Sequence, residues 1–243
     1  MDPIISVANL GVEFNRGRRS QGLRDMIFHR PAPGGRSFWA LRNVNFDVAP
    51  GEAIGVVGRN GSGKSTLLKL VAGVMLPDEG SVEVREDTAP LIELTGGFVP
   101  DLTGRENVYL AAGLHGMAKD EIESRFDGIV EFSEVGDFLD TPFKHYSSGM
   151  KVRLAFSVIS ELDAPILMVD EVLAVGDKAF RDKCYKRIEG RLEDGRTLFL
   201  VSHSDGDLKR FCGRGLYLQQ GALRADGPIK DVLKDYHGDT GVK

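Results

Sequence analysis

The chain has 243 residues, of which 42% are apolar and 28% charged, and its formal net charge is -5. That length builds one globular unit, or a core carrying a small lobe, and the acidic balance excludes a nucleic-acid binder held by bulk charge. No run of about 18 apolar residues occurs, and the start "MDPIISVANL" lacks a basic segment followed by an apolar run, so the sequence shows neither a membrane span nor a signal peptide.

In chain order, two short β-like segments come first, Ile4 to Ala8 and Gly11 to Phe14. A basic interruption follows, and then a third segment, "FWALRNVNFDVAP", which leads into a turn at Pro50 and Gly51. An antiparallel β layer over about residues 1–50 is expected. From "EAIGVVG" onward apolar strand-like runs alternate with helical patterns, which predicts a parallel α/β core over about 51–96 and 163–243. Its strands fall near Ala53 to Val57, Ile166 to Val169 and Thr197 to Val201. Between them, about residues 97–162 read as a helical lobe. In that lobe Thr103 and Glu106 spell a capping box, and Ile122, Phe126, Ile129 and Val130 mark one helix face. The tail "PIKDVLKDYHGDTGVK" reads as a short helix that frays at the terminus. Cys184 and Cys212, with no His or Cys at zinc spacing, are expected as reduced thiols of a cytosolic protein.

Three stretches carry chemistry. "GRNGSGKST", Gly58 to Thr66, fits G-x-x-x-x-G-K-[ST] between an apolar strand and a helical pattern. Gly58, Gly61 and Gly63, with Asn60, Ser62 and Thr66 around them, let the backbone curl its amides toward phosphate oxygens at a helix start. Lys64 reaches the β and γ phosphates of ATP, and the Ser65 hydroxyl is placed to ligate the bridging magnesium ion (Mg2+). The strand "PILMVDE" ends in two carboxylates: Asp170 to hold the metal through water and Glu171 to act as general base on the attacking water. "TLFLVSHS" delivers His203 to the same sheet edge, as a sensor for the γ phosphate. A further stretch, "YSSGMKVRLAF", opens a helix on two serines and a glycine, an anion site that needs no charged side chain.

"GRNGSGKST", "YSSGM", "ILMVDE", "AVGD" and "SHS" occur in the order and spacing of the nucleotide-binding subunits of ABC transporters. The resemblance covers nearly the whole chain. It implies a single α/β domain, 1–243: a P-loop NTPase (RecA-like) ABC nucleotide-binding domain with an antiparallel β layer and a helical subdomain. "YSSGM" is a variant of the family's Leu-Ser-Gly-Gly-Gln signature. The resemblance implies that Ser147 and Gly149 contact the γ phosphate of a nucleotide bound by an opposing copy, with Ser148 between them in the same nucleotide-binding set. Two head-to-tail copies would then sandwich two ATP molecules, with Asp177 of "AVGD" linking the sites across the interface. Phe14 falls where the family stacks an aromatic ring on adenine, and plain core is an equal reading.

The family's glutamine between the phosphate loop and the signature is absent, since no Gln occurs between Gln21 and Gln219. Glu93 could take its place, or no side chain does.

Within the family, "YSSGMKVRLAFSVIS", "DEVLAVGD", "GGFVPDLTGRENVYL" and an insertion containing "LRDMIFHRP" resemble the polysaccharide-exporting subgroup. That resemblance implies an integral transmembrane permease as partner, a lipid-linked polysaccharide as cargo, no nucleic acid, and a peripheral position on the cytoplasmic face of the inner membrane. The insertion from Arg16 to Arg36 carries six arginines and one aspartate. It reads either as a solvated basic loop or as an amphipathic helix near the membrane. Some members of the subgroup add a C-terminal carbohydrate-binding domain. This chain stops soon after the ATPase core, so it either lacks that domain or is part of a longer protein.

Overall fold

The structure, a computed structural model, describes residues 2–16, 36–92, 95–170 and 177–241. The Arg16 to Arg36 insertion between its end residues, Glu93 and Glu171 therefore lie outside the described residues.

β1 (Ile5–Arg16) pairs antiparallel with β2 (Arg36–Val48), from Ile5 opposite Val48 to Arg16 opposite Arg36. The two segments expected at Ile4 to Ala8 and Gly11 to Phe14 are one strand. Asn9 takes a positive φ of 50° and the register slips between Val7 and Leu10, so a bulge breaks the alternation without ending the strand. The layer also reaches beyond residue 50. Its third strand is β4 (Glu79–Val84), which pairs antiparallel with the other edge of β1 and gives the order β2-β1-β4.

The second sheet has six strands in the order β5-β6-β7-β3-β8-β9. They are β3 (Ala53–Val57), β5 (Thr88–Leu91), β6 (Ile166–Asp170), β7 (Thr197–Val201), β8 (Arg214–Gln219) and β9 (Ala222–Pro228). All neighbours are parallel except β8 and β9, which form a hairpin. Both faces of this sheet are covered, as its continuous apolar strands require. Ile54, Val56, Met168, Phe199 and Val201 pack toward the β layer. Val57, Leu167, Val169, Leu198 and Leu200, the alternate positions, pack on the opposite face with the helical lobe.

α1 (Lys64–Val71) follows β3 and buries Leu67, Leu68, Leu70 and Val71. The lobe holds α2 (Gly104–Leu114), α3 (Lys119–Ser133) and α4 (Ser148–Ser160), with short 3-10 turns at Gly136–Phe138 and Phe143–His145. The capping box opens α2: Glu106 N donates to Thr103 Oγ1 at 3.2 Å and Thr103 N to Glu106 Oε2 at 2.8 Å. Ile122, Phe126 and Ile129 are buried along α3. α5 (Lys178–Glu193) and α6 (Asp205–Phe211) flank β7 in sequence. The tail forms the expected helix, α7 (Ile229–Thr240), of about three turns, and its Gly241 N closes on His237 O at 3.0 Å. Among the described residues no helix is long and apolar enough to cross a membrane. Cys184 and Cys212 are buried, and burial pushes both thiols up to about 12.

Candidate active site

The parallel register brings three strand ends together. Asp170 on β6 stands opposite Val201 on β7, and Val201 stands opposite Val56 on β3. Asp170 is thus about 10 Å, two strand spacings, from the end of β3 where the loop of Gly58 to Ser62 begins. His203 emerges two residues past β7, exposed, between them.

The loop is built to accept an anion. α1 opens at Gly63, with φ 107°, without a side-chain cap and with no acidic residue in its first turn. No side chain at Gly63 caps those first amides, and the helix dipole there favours a negative ligand. Gly63 cannot be replaced without displacing its surroundings, because a Cβ there would stand 2.6 Å from Leu41 Cδ2 and 2.7 Å from Ala40 O. Lys64 is buried, with Nζ donating to Gly58 O at 2.8 Å and Arg59 O at 3.3 Å. The amine thus lies curled inside the loop on carbonyls of that loop, ready to exchange them for phosphate oxygens. Ser62 Oγ is buried and has no hydrogen-bond partner among the described residues. A cavity of about 310 Å³ lies here, lined by Asn60, Gly61, Gly63, Lys64, Ser65 and Thr66. The Ser65 hydroxyl at the helix start and the Asp170 carboxylate are hard oxygen donors, which fit magnesium.

Two supports for the loop were not foreseen from the sequence. Gly221 N, at the tip of the β8–β9 hairpin, donates to Ser62 O at 3.1 Å, and Arg59 Nη2 donates to Thr240 O on α7 at 3.2 Å. The turn residues Gln220 and Gly221 have φ 51° and 81°, the pattern of a tight two-residue hairpin, and a Gly after a strand-like run was the available signal.

Phe14 is not core: it is 38% exposed and stacks on Phe38, 41% exposed, with centroids 5.9 Å apart. Phe38 is the strand neighbour of Phe14 and lies two residues before Ala40 on β2, whose carbonyl stands 2.7 Å from where a Gly63 Cβ would be. The aromatic pair thus spans β1 and β2, and its Phe38 stands on the strand whose Ala40 and Leu41 abut the phosphate loop. Phe38 was missed because it sits in an ordinary alternating strand.

Ser147 caps α4, its Oγ accepting from Met150 N at 3.2 Å, and is exposed with Ser148. Tyr146 anchors the helix start from below: it is buried and its hydroxyl donates to Phe138 O at 2.8 Å. Asp177 caps α5, Oδ1 accepting from Phe180 N at 2.9 Å, a bond that holds its carboxyl below the usual aspartate range. Ser147, Ser148, Gly149, Arg153, Glu134 and Asp177 surround a second cavity, of about 480 Å³. It shares no residue with the cavity around Lys64.

Residues 41–174 match the ABC transporter family. The chain is 43% identical over 241 residues to an O-antigen export system ATP-binding protein, RfbB, of Klebsiella pneumoniae, covering 97% of this chain and 98% of that one. It is 42% identical over 201 residues to the teichoic acids export ATP-binding protein TagH of Lactococcus lactis, covering 83% of this chain and 43% of that one. The fold matches a post-hydrolysis dimer of the ATP-binding cassette MJ0796 bound to ADP and Pi, with a TM-score of 0.74 at 21% identity over 93% of this chain and 98% of that one. The phosphate loop, the converging strand ends and these likenesses agree, and the chain belongs to the ABC transporter family as an ATPase.

Proposed function

We propose that two copies of this chain bind two ATP molecules between them and hydrolyse them to drive export of a lipid-linked, O-antigen-type polysaccharide through a transmembrane permease. The observation that supports the dimer is that, within one chain, the cavity at the Ser147 helix start shares no residue with the cavity around Lys64. A nucleotide seated on Lys64 needs the Ser147 helix of a second copy. Likeness to RfbB over nearly the full length of both chains supports the cargo.

In this arrangement the amides of residues 61–66 and the Lys64 amine hold the phosphates, and the Phe14 and Phe38 rings stack on adenine. Magnesium held by Ser65 and Asp170 would neutralise charge on the β and γ phosphates. Glu171 takes a proton from the attacking water, and His203 holds that water and the γ phosphate in line. The partner's Ser147, Ser148 and Gly149 close the far side of the phosphate.

Glu171→Gln tests the reading: the purified protein should bind ATP, hydrolyse it very slowly and persist as a dimer while ATP is present. A monomer under saturating ATP contradicts the sandwich. Likeness to TagH favours one alternative cargo, teichoic acid, driven by the same engine. Chemical analysis of the exported polymer separates the two.

A further inference from the structure

The last turn of α7 reaches two loops of the candidate site at once. Thr240 O accepts from Arg59 Nη2 at 3.2 Å, and Arg59 O in turn accepts from Lys64 Nζ at 3.3 Å. Three residues before Thr240, His237 Nε2 stands 2.8 Å from Asp205 Oδ2, and because a carboxylate accepts, the ring nitrogen donates. Asp205 is the second residue after His203 and the first of α6. Ser204, between them, caps α6, its Oγ accepting from Asp207 N at 3.2 Å while its N donates to Ser202 Oγ at 3.0 Å. One helical turn is thus tied to the phosphate loop at one point and to the loop of His203 at another.

That turn is firmly seated. Ile229, Val232 and Leu233 of α7 are buried, and the helix lies so close on β8 that a Cβ on Gly215 would stand 2.8 Å from Ile229 Cδ1 and 3.1 Å from Val232 Cγ1. Nearer the turn, Tyr236 meets the buried Tyr217 ring edge-on, with centroids 5.4 Å apart. A guanidinium beside the last carbonyls also suits the negative end of the helix dipole.

Two polar staples near a surface would ordinarily contribute little. His237 differs, because its Nδ1 is buried with no hydrogen-bond partner among the described residues. Keeping that nitrogen from water has a cost that the Asp205 contact offsets. Burial alone would raise the Asp205 carboxyl, yet hydrogen bonds from His237 and Lys209 prevail and hold it below the ordinary aspartate range. What the staples join gives them a use. The paired register of β3 and β7 ends with Val56 opposite Val201, and both loops lie beyond that level. There α7 is a further brace between them.

We infer that Arg59 and His237 are positioning residues: with the last turn of α7 they set the separation of the phosphate loop from the loop of His203, so that Lys64 and His203 meet one γ phosphate. The inference rests on the reading of His203 above. Losing either staple leaves the loop amides and Lys64 in place and frees the spacing to His203.

The full chain carrying His237→Ala, Arg59→Met, both together, or His237→Gln tests this. MgADP, which lacks the γ phosphate, should bind within about twofold of the parent by calorimetry. The magnesium complex of β,γ-imido-ATP, a non-hydrolysable analogue that keeps a γ phosphate, should bind about fivefold more weakly to the two single variants. Their kcat for ATP should fall about fivefold to fiftyfold, on the scale of one hydrogen bond. Both staples act through one turn, so the double variant should lose less than the product of the single losses. His237→Gln keeps a donor near the place of Nε2 and should recover most of kcat. If His237→Ala does not fold, judged by circular dichroism, Arg59→Met carries the same prediction from the other end of the turn.

Parental kcat in the folded variants overturns the inference. So do losses that multiply in the double variant, or MgADP affinity that falls in step with kcat, since that is the mark of general disruption. His203→Ala keeps the two readings apart: if it turns over ATP normally, His203 does not serve the γ phosphate, whereas its inactivity beside unaffected His237→Ala and Arg59→Met removes only the brace.

Discussion

Replacing the aromatic pair separates recognition of the base from recognition of the phosphates. Phe14 and Phe38 are 38% and 41% exposed, so truncating either to Ala opens no enclosed cavity in the core. The stability at risk is that of one exposed ring pair, about 1 kcal/mol, which in a chain of this size lowers Tm by about 2–4 °C. Binding should respond more strongly. Stacking on an aromatic ring contributes about 1–3 kcal/mol per base, so ATP affinity should fall by roughly fivefold to 150-fold. Because the rings stack on each other, and in the proposed reading on the base, the effects of Phe14→Ala and Phe38→Ala should not add in the double variant. Calorimetry with MgATP and, separately, with magnesium tripolyphosphate distinguishes the outcomes. The account expects ATP affinity to drop and tripolyphosphate affinity to hold. Unchanged ATP affinity in the double variant, or an equal loss for both ligands, refutes the adenine platform.

Lys64→Ala should remove most ATP binding, since the phosphates lose their main counterion, and normal binding in a nucleotide titration would contradict the loop assignment. Gly63→Ala should lose both nucleotide affinity and stability, because a Cβ would strike Leu41 and the Ala40 carbonyl; thermal unfolding with and without ATP measures both. Acid should destabilise the fold through its ion pairs. Hydrogen bonds from Lys183, Arg196 and Arg210 hold Glu134, Asp163 and Glu189 below their ordinary values of 4.5, 3.8 and 4.5. With folded-state values depressed, their contribution is fully present above the ordinary values and is lost as pH falls from there through the lower folded-state values. Urea midpoints should therefore be level near about pH 6 and decline below about pH 4.5, and a midpoint that rises on acidification would contradict the assignment.

The parts of the molecule legible in the sequence are those where one residue type has one physical use. The loop of Gly58 to Thr66, the capping box of Thr103 and Glu106, and the buried strands at Ala53, Ile166 and Thr197 carry their geometry in their spelling. What remained hidden depends on contacts distant along the chain. β4 has only half-buried and exposed positions, so nothing in it announced a place beside β1 in the antiparallel layer. The bulge at Asn9 broke a long strand into two apparent ones. The exposed aromatic pair needs Phe38 as well as Phe14, and the roughly twenty residues between β1 and β2 separate them in sequence while the register sets them side by side. The same holds for Arg153, whose partners Glu134 and Asp177 come from the ends of two other helices.

The central claim is an ATP-driven export motor, and the most direct measurement is made in the native cell with Glu171→Gln. Surface glycan and glycan retained inside the cell are quantified after the chromosomal copy is replaced. The account predicts loss of surface polysaccharide with lipid-linked polymer accumulating on the cytoplasmic side. Unchanged surface glycan, with the variant shown to be inactive as an ATPase, would contradict the polysaccharide assignment while leaving the family and its nucleotide chemistry in place.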